Sequence, residues 1–165
     1  SNQDVANAAS QKVRFLARTQ VTDFMPMRQR NPLVFDGVTR AWKNVLSDAN
    51  ITLDSLSFAE VHDCFTIAEL MIYESMGLTP FGQGATAINE GWVMKDGRLP
   101  VNPSGGLKAK GHPVGATGVS MHVMAARQLL NAAGGCQIDD AHTGAVFNMG
   151  GLAVANYASL LQRVD

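Results

Sequence analysis

The sequence predicts one α/β domain, in which helices pack against a sheet. The first observation is that apolar residues alternate with polar ones in several segments, as in half-buried strands, and recur at helical spacing between them. The second is the segment order of strand, helix, strand, helix, loop, strand, helix, strand and strand, which favours a layered α/β fold. The third is length, since 165 residues with 46% hydrophobic character suffice for one buried core and hardly for two.

The first elements are a predicted tail, a strand and an amphipathic helix. Residues 1–11 are small and polar and are expected to be a tail or a cloning remnant, which leaves 12–165 as the domain. Residues 12–23 alternate apolar and charged side chains and are predicted to form a strand with one buried face. Asn31 and Pro32 predict the N-cap and first turn of a helix whose apolar residues recur at helical spacing.

The second predicted helix is apolar on nearly all sides. It follows a short strand in the segment 57–62 and ends at Gly77. Glu69 and Glu74 are its only charged residues, so it is expected to lie inside a larger body than one small domain provides. The remaining predicted elements are a long loop with a hairpin near 95–97 (80–98), a short strand at most (99–102), a helix (116–133) and two strands (142–148 and 153–162).

Composition excludes several classes of partner. The net charge of −1 gives no electrostatic footprint for nucleic acid or an anionic membrane. No apolar run reaches membrane-spanning length. Cys64 and Cys136 are far apart and no secretory signal precedes them, so a disulfide framework is not expected, whereas a reducing, cytoplasmic location is. Residues 163–165 do not form a peroxisomal signal.

The segment GGLKAKGHPVGATG, residues 105–118, concentrates glycines around His112. Its spacing is that of a phosphate-binding P-loop, but His112 and Pro113 stand where that motif needs lysine and then Ser or Thr. The GxGxxG dinucleotide fingerprint is absent as well. A flexible surface loop is the alternative, although a histidine followed by proline restrains the backbone. Glycines here would let a ligand or another chain segment approach the backbone beside the unpaired N–H groups of a helix start.

Three ordered segments resemble the C-terminal active-site blocks of the thiolase superfamily. They are HDCF at 62–65, GRLPVNPSGGLKAKGHPVGATG at 97–118 and NMGG at 148–151. The HDCF form is similar to the sterol-carrier-protein type of thiolase, whereas ordinary thiolases have NEAF. The resemblance runs from about Val13 to the end and covers only the second half of a thiolase. It implies the C-terminal half of the thiolase fold, with a mixed five-stranded sheet and helices on both faces.

Thiolases cleave a 3-ketoacyl-CoA with a second CoA, or condense two acyl-CoAs, through a covalent acyl-cysteine. The resemblance implies that His112 activates this cysteine and stabilises an enolate oxygen, and that His62 holds a water of the same oxyanion hole. Cys64 is implied to transfer protons, because Asn148 stands where other thiolases have a cysteine in the last block. Gly150 is implied to donate its N–H to a second oxyanion hole. The residues implied to contact substrate are Asn148, Gly111 and Gly151.

Each candidate has a structural alternative. Cys64, at the head of an apolar helix, could be a small buried hydrophobic residue, and His62 could be a core histidine bound to backbone. Lys108 and Lys110 could meet CoA phosphates, although lysines of a loop are more often solvated. Residues outside every motif, expected to be structural, are His122, His142 and Cys136. Chemistry favours the motif residues, since an enolate beside a thioester needs a base near the α-carbon and donors aimed at the oxygen.

The nucleophilic cysteine is expected in the missing first half, because Cys64 and Cys136 are already assigned elsewhere. The isolated chain is therefore expected to be inactive. Its implied partners are an acyl-CoA and either an N-terminal thiolase half or further copies of itself; no metal and no bound cofactor are implied, and CoA enters as a substrate. The alternative is a non-catalytic thiolase-like binding or partner subunit, or one side of a steroid side-chain aldolase.

Overall fold

The computed structural model describes residues 3–164, in which strands and helices alternate. The strands are β1 (Lys12–Thr22), β2 (Phe58–Val61), β3 (Thr143–Gly150) and β4 (Ala155–Val164). The helices are α1 (Gln3–Ala8), α2 (Asp36–Ala49), α3 (Thr66–Ser75), α4 (Gly84–Asn89), α5 (Gly106–Lys110) and α6 (Thr117–Leu129). Ser1 and Asn2 of the predicted tail, and Asp165 at the end of the predicted domain, lie outside the described residues.

The strands form one mixed sheet in the order β1-β4-β3-β2. β4 pairs antiparallel with both β1 and β3, and β3 pairs parallel with β2. Because this sheet has four strands, the expectation of five is wrong. Residues 99–102 form only an isolated bridge between Val101 and Ala59, since Pro100 and Pro103 lack the N–H that a longer ladder needs.

Helices cover both faces of the sheet, as expected. Side chains alternate along β3, where Phe147 faces the cluster formed with α2 and α3, and Val146 faces the cluster formed with α6. Trp42 of α2 stacks on Phe147 with ring centroids 5.9 Å apart. Met121 and Leu129 of α6 are buried on the opposite face. The chain is therefore an α/β structure with its core divided between the two sides of the sheet.

Helix α2 begins later than predicted. Its first residue is Asp36, so the predicted N-cap at Asn31 is wrong. Asn31 instead closes a separate turn, in which its side-chain oxygen accepts from the N–H of Leu33 at 3.0 Å. Its backbone carbonyl accepts from the N–H of Val34 at 3.1 Å. This local Asx turn satisfies the backbone before the helix begins, so the same residue type that caps helices here marks a turn.

Helix α3 has only one face buried by the described residues. Ala68, Ile72 and Tyr73 are buried, whereas Phe65 and Ile67 remain 67% and 62% exposed. An apolar surface of this helix region is thus open, and its burial inside a larger body stays a prediction.

The predicted loop 80–98 contains α4, and the predicted hairpin near 95–97 is wrong. The N–H of Gly97 donates to the carbonyl of Met94 at 2.9 Å and closes a turn, but the described residues on its two sides form no paired strands. Helix α1 has no buried residue, and the division of the chain at residue 11 stays a prediction.

None of the helices in residues 3–164 is long and apolar enough to cross a membrane.

Candidate active site

Topology brings the predicted site residues to one edge of the sheet. β2 and β3 run parallel, so their carboxyl ends meet at the same edge. His62 and Cys64 directly follow β2, and the NMGG segment 148–151 lies at the end of β3. The loop between α5 and α6 carries His112 to this edge, where its ring contacts that of His62.

A cavity of about 630 Å³ lies at this edge. The predicted site residues in its wall are His62, Cys64, His112, Asn148, Gly150 and Gly151. The rest of the wall is mostly apolar and consists of Phe65, Ala68, Val114, Thr117, Met149, Leu152, Ala155 and Tyr157. Gly111 is outside the wall; it ends α5 with a φ of +87°, which favours glycine, and so directs the chain toward His112. A mainly apolar cavity with a few polar groups is typical of small-molecule sites.

His62 is buried and held by Asn148. Its Nδ1 lies 2.6 Å from Oδ1 of Asn148. Because an amide oxygen only accepts hydrogen bonds, Nδ1 carries the proton and Nε2 keeps its lone pair. Burial lowers the pKa of His62 below its usual value, and the hydrogen bond to Asn148 offsets this only in part. The ring is therefore neutral at pH 7.

His112 is exposed and meets His62 edge-on, with ring centroids 5.0 Å apart and planes inclined at 81°. Its Nδ1 lies 2.7 Å from Oγ1 of Thr117. The Thr117 hydroxyl donates its own proton to the carbonyl of Pro113 at 3.0 Å, so it accepts the proton on Nδ1 of His112. This arrangement leaves Nε2 of His112 as the atom that can accept or release a proton.

Sequence reasoning missed Thr117. This buried residue begins α6 and selects the tautomer of His112. In catalytic sites built from a nucleophile and a base, a third group orients the base in the same way. The available signal was a hydroxyl residue five positions after the histidine, at a helix start, where Ser and Thr commonly bond to nearby groups.

Cys64 is half-buried at the start of the α3 segment. Burial is the largest influence on its thiol and raises the pKa of Cys64 above its usual value, although hydrogen bonds from the backbone partly oppose this. The thiol is therefore protonated at neutral pH. A protonated thiol in the same cavity as two imidazoles suits proton delivery better than attack on a carbonyl.

The NMGG segment leads into a left-handed turn. Gly151, Leu152 and Ala153 have φ values of +60°, +55° and +61°. The N–H of Val154 donates to the carbonyl of Gly150 at 3.0 Å and closes this turn. Left-handed backbone costs about 1–2 kcal/mol for each non-glycine residue, and such strain clusters at functional sites. A Cβ on Gly150 would meet nothing within 4 Å, so a ligand can approach its backbone from the cavity.

The histidines and the cysteine that lie outside the motifs each make a hydrogen bond with a residue close in sequence. His122 Nδ1 lies 2.6 Å from the carbonyl of Gly118, and the Cys136 thiol lies 3.1 Å from the carbonyl of Ala133. His122 also borders a second cavity of about 820 Å³, which shares Val114, Asn148 and Tyr157 with the first. His142 Nε2 lies 3.1 Å from Asp140 at the surface.

Lys108 and Lys110 are held by carboxylates, which neither sequence-based alternative anticipated. Lys108 Nζ lies 2.5 Å from Glu69, and Lys110 Nζ lies 3.4 Å from Glu60. Burial opposes the charge of Lys108, but its hydrogen bond and ion pair with Glu69 outweigh this and raise the pKa of Lys108. In the described part of the chain, no group of three or more His, Cys, Asp or Glu residues is placed to hold a metal ion.

Comparison with known proteins identifies relatives at the sequence level. Residues 19–163 match the family described as thiolase C-terminal domain-like. The chain is 37% identical over 136 residues to an acetyl-CoA acetyltransferase of Methanothermobacter thermautotrophicus, a match that covers 82% of this chain and 36% of that protein. It is 35% identical over 145 residues to sterol carrier protein 2 of Homo sapiens, which covers 86% of this chain and 26% of that protein. The chain thus spans little more than a third of the first relative and about a quarter of the second.

A solved structure shows the same fold. A chain of the "Ltp2-ChsH2(DUF35) aldolase" superposes with a TM-score of 0.84 at 19% sequence identity. The match covers 97% of this chain and 42% of that chain. The sheet with helices on both faces, the ordered motifs around one cavity and the family match agree with one another. The chain belongs to the thiolase family and carries its C-terminal domain.

Proposed function

We propose that the chain is the C-terminal catalytic part of an acyl-CoA thiolase, which transfers an acyl group from a 3-ketoacyl-CoA to CoA by retro-Claisen cleavage or runs the reverse condensation. The observation that carries the proposal is that His62, Cys64 and His112 line one cavity at the carboxyl edge of β2 and β3. The acetyl-CoA acetyltransferase relative supports this reaction class.

In the first step, a cysteine thiolate attacks the 3-keto carbonyl and the bond between C2 and C3 of the substrate breaks. The electron pair of that bond forms the enolate of the departing acyl-CoA. His112 would take the proton of the nucleophilic thiol at Nε2 and help hold the enolate oxygen, and Cys64 would deliver a proton to C2. The free Nε2 of His112 and the raised pKa of the Cys64 thiol support these roles.

In the second step, the thiol of CoA would give its proton to the Cys64 thiolate and take the acyl group, and His112 would return its proton to the nucleophile.

The remaining residues would form the oxyanion holes and contact the substrate. His62 would accept a hydrogen bond at Nε2 from a water that donates to the enolate oxygen of the first step. The Gly150 N–H would serve a second oxyanion hole, and substrate contacts would come from Asn148, Gly111 and Gly151. Exposure of the Gly150 backbone to the cavity supports its part.

The nucleophile would come from a further part of the enzyme, because Cys64 is assigned to proton transfer and Cys136 does not line the cavity. Phe65 and Ile67 at α3, and Phe15 and Val119 beside the second cavity, leave apolar surface open to such a part. We expect an N-terminal thiolase half to cover it, whether as a separate chain or as another region of the same protein; contact between copies of this chain is the alternative. The isolated residues are expected to be inactive.

Co-expression with an N-terminal thiolase half tests the proposal. The purified complex is expected to cleave acetoacetyl-CoA only when CoA is present. Loss of a general acid or base costs about 10²–10⁴-fold in rate, so Cys64→Ala and His112→Ala should each lose at least that lower factor. Cys136→Ala is the matched control and should keep the wild-type rate. A stable complex without CoA-dependent cleavage would contradict the thiolase function.

An aldolase subunit is the second candidate, and the fold match to a chain of the Ltp2-ChsH2(DUF35) aldolase favours it. A retro-aldol cleavage also needs carbon-acid chemistry at the α-carbon of a thioester, but neither a nucleophilic cysteine nor a second CoA. The same complex, given a 3-hydroxyacyl-CoA without free CoA, separates the two functions. Cleavage under those conditions supports the aldolase, and acyl-CoA binding with neither cleavage supports a non-catalytic subunit.

A further inference from the structure

Two buried carboxylates from the β2 region bind the chain segment that precedes His112. Glu60 lies on β2 and is 0% exposed, and Asp63 follows the strand and is 2% exposed. Buried carboxylates are costly unless hydrogen bonds and opposite charges satisfy them. The partners of both lie in the segment 104–110, which is distant in sequence and ends two residues before His112.

Asp63 binds the start of α5. Its Oδ1 accepts from the N–H of Leu107 at 2.7 Å, and its Oδ2 accepts from the N–H of Lys108 at 3.4 Å. The ammonium of Lys108 lies 3.6 Å from the same oxygen. Asp63 also stands between His62 and Cys64 in the chain, so one residue ties the segment of these two site residues to the segment of the third.

The glycine at 106 allows this contact. Its φ is +63°, and a Cβ placed on it would overlap the carboxylate of Asp63. Any other residue would therefore displace the carboxylate and strain the backbone. Part of the glycine content of the loop is thus required for the approach of Asp63.

Glu60 provides a second attachment. Its carboxylate accepts from the N–H of Ser104 at 3.2 Å and from the Ser104 hydroxyl at 2.6 Å. Lys110 Nζ lies 3.4 Å from Glu60 and also donates to the Ser104 hydroxyl oxygen. With both ends of the segment bound to the β2 region, only Gly111 separates it from His112.

We propose that Asp63 is a positioning residue, which holds α5 so that the ring of His112 stays against the ring of His62, with Glu60 as the second anchor. The geometric part of this proposal concerns the chain itself. Its meaning for catalysis rests on the proposed function, because only then does the distance between these rings matter to a reaction.

Nuclear magnetic resonance of the full chain with isotope-labelled histidine tests the geometric part. Asp63→Asn keeps the shape but places an NH₂ group against one of the two amide donors, so it breaks part of the attachment. We expect loss of the ring-to-ring NOE between His62 and His112 and shifts in both sets of ring signals. The signals of His122 and His142 should stay in place. Asp54→Asn removes an exposed carboxylate that pairs with Arg98 and is the matched control.

A second variant reaches the same contact from the other side. Gly106→Ala keeps the charge of Asp63 but displaces its carboxylate, and it should also abolish the NOE between His62 and His112. The proposal is overturned when either variant retains native circular dichroism and the wild-type NOE. A purely structural role would lower the melting temperature without changing these signals.

Kinetics of the assembled enzyme separate this proposal from the proposed function. With thiolase activity present, Asp63→Asn should lower kcat at least tenfold with little change in KM for CoA, and Asp54→Asn should change neither. Absence of activity in the wild-type complex would reject the thiolase function but leave the NMR result decisive for the position of His112. Wild-type kcat in Asp63→Asn would reject the positioning role in catalysis.

Discussion

His62 makes the stability of the domain depend on pH. Its pKa in the folded chain lies below the usual value of 6.5, because burial disfavours the charged ring. The unfolded chain therefore takes up this proton at a higher pH than the folded chain. Acidification from pH 7 through 6.5 and down to the folded-state pKa lowers the free energy of unfolding, and raising the pH restores it.

We expect His62→Asn to weaken this pH dependence. Asparagine can still bond to Asn148 but does not titrate between pH 5 and 8. Urea unfolding at pH 7 and pH 5 should show a smaller loss of stability in the variant than in the wild type. An unchanged difference between the two pH values in His62→Asn would show that the ring is not a source of the dependence.

Thr117 should matter through its hydroxyl. Thr117→Val keeps the shape but leaves Nδ1 of His112 without its acceptor, whereas Thr117→Ser keeps the hydroxyl. Loss of such a bond costs about 1 kcal/mol of stability, and the freed imidazole can adopt the other tautomer. In the assembled enzyme, Thr117→Val should therefore lower kcat while Thr117→Ser stays near the wild type. Equal rates in the two variants would contradict the role given to this hydroxyl.

Sequence motifs indicate some of the candidate site residues and not others, for a physical reason. His62, Cys64 and His112 stand in contiguous motifs, so the types of their neighbours are informative. Asp63 is in the HDCF motif with His62 and Cys64, but its hydrogen-bond partners Leu107 and Lys108 lie 44 and 45 positions away. Such a contact exists only after the chain has folded, and no local pattern of charges or apolar residues indicates it.

Among the elements, the turn after β3 stores backbone strain that can be measured. Leu152 has a φ of +55° and is 54% exposed, so burial of its side chain offsets little of the cost of the left-handed conformation. We expect Leu152→Gly to be about 1 kcal/mol more stable than Leu152→Ala, because only glycine adopts this backbone without a Cβ penalty. Both variants remove the leucine side chain beyond Cβ and differ only in Cβ itself, which makes them a matched pair. Thermal unfolding in which the alanine variant equals or exceeds the glycine variant would contradict this strain.

The elements most faithfully predicted are those whose pattern matches their final environment. β3 and β4, which are neighbours in the sheet, follow an apolar run or alternation, because each packs at least one face against the core. β1 is a strand as predicted, but its expected single buried face is wrong, since Phe15 is 55% exposed and the register with β4 shifts between Phe15 and Ala17. Prediction fails where a local hydrogen bond or a proline, and not the hydrophobic pattern, determines the structure. Asn31 closes its own turn instead of capping α2, and the prolines at 100 and 103 restrict the expected fifth strand to one bridge.

In the molecule as a whole, the exposed apolar surface and the partial coverage of the relatives both support the proposal that further protein packs against this chain. The chain spans 36% of the acetyl-CoA acetyltransferase that it resembles. Ile67 in the first turn of α3 is 62% exposed in this chain. Phe65, two residues earlier, is 67% exposed as well, and we propose that an N-terminal half covers both side chains.

We expect Ile67→Ser to weaken assembly with the N-terminal half. Burial of an isoleucine side chain contributes about 1.5–3 kcal/mol, which corresponds to about 10–100-fold in the dissociation constant. The melting temperature of the isolated chain should change little, because this side chain is mostly exposed in it. Ile88→Ser on α4 is the control, and affinity can be followed by titration calorimetry. Equal affinity of Ile67→Ser and wild type would place the interface elsewhere.

Exchange of the α-protons of acetyl-CoA in heavy water by the assembled enzyme tests the proton-transfer role of Cys64 most directly. This exchange needs a base at the α-carbon, which is the thiolate form of Cys64, and stabilisation of the enolate. Because burial raises the pKa of the Cys64 thiol, the exchange is followed above neutral pH, where more of the thiol is ionised. Deuterium incorporation is expected to fall at least about 100-fold in Cys64→Ala and to be unchanged in Cys136→Ala. Full exchange in Cys64→Ala would contradict the role proposed for this thiol.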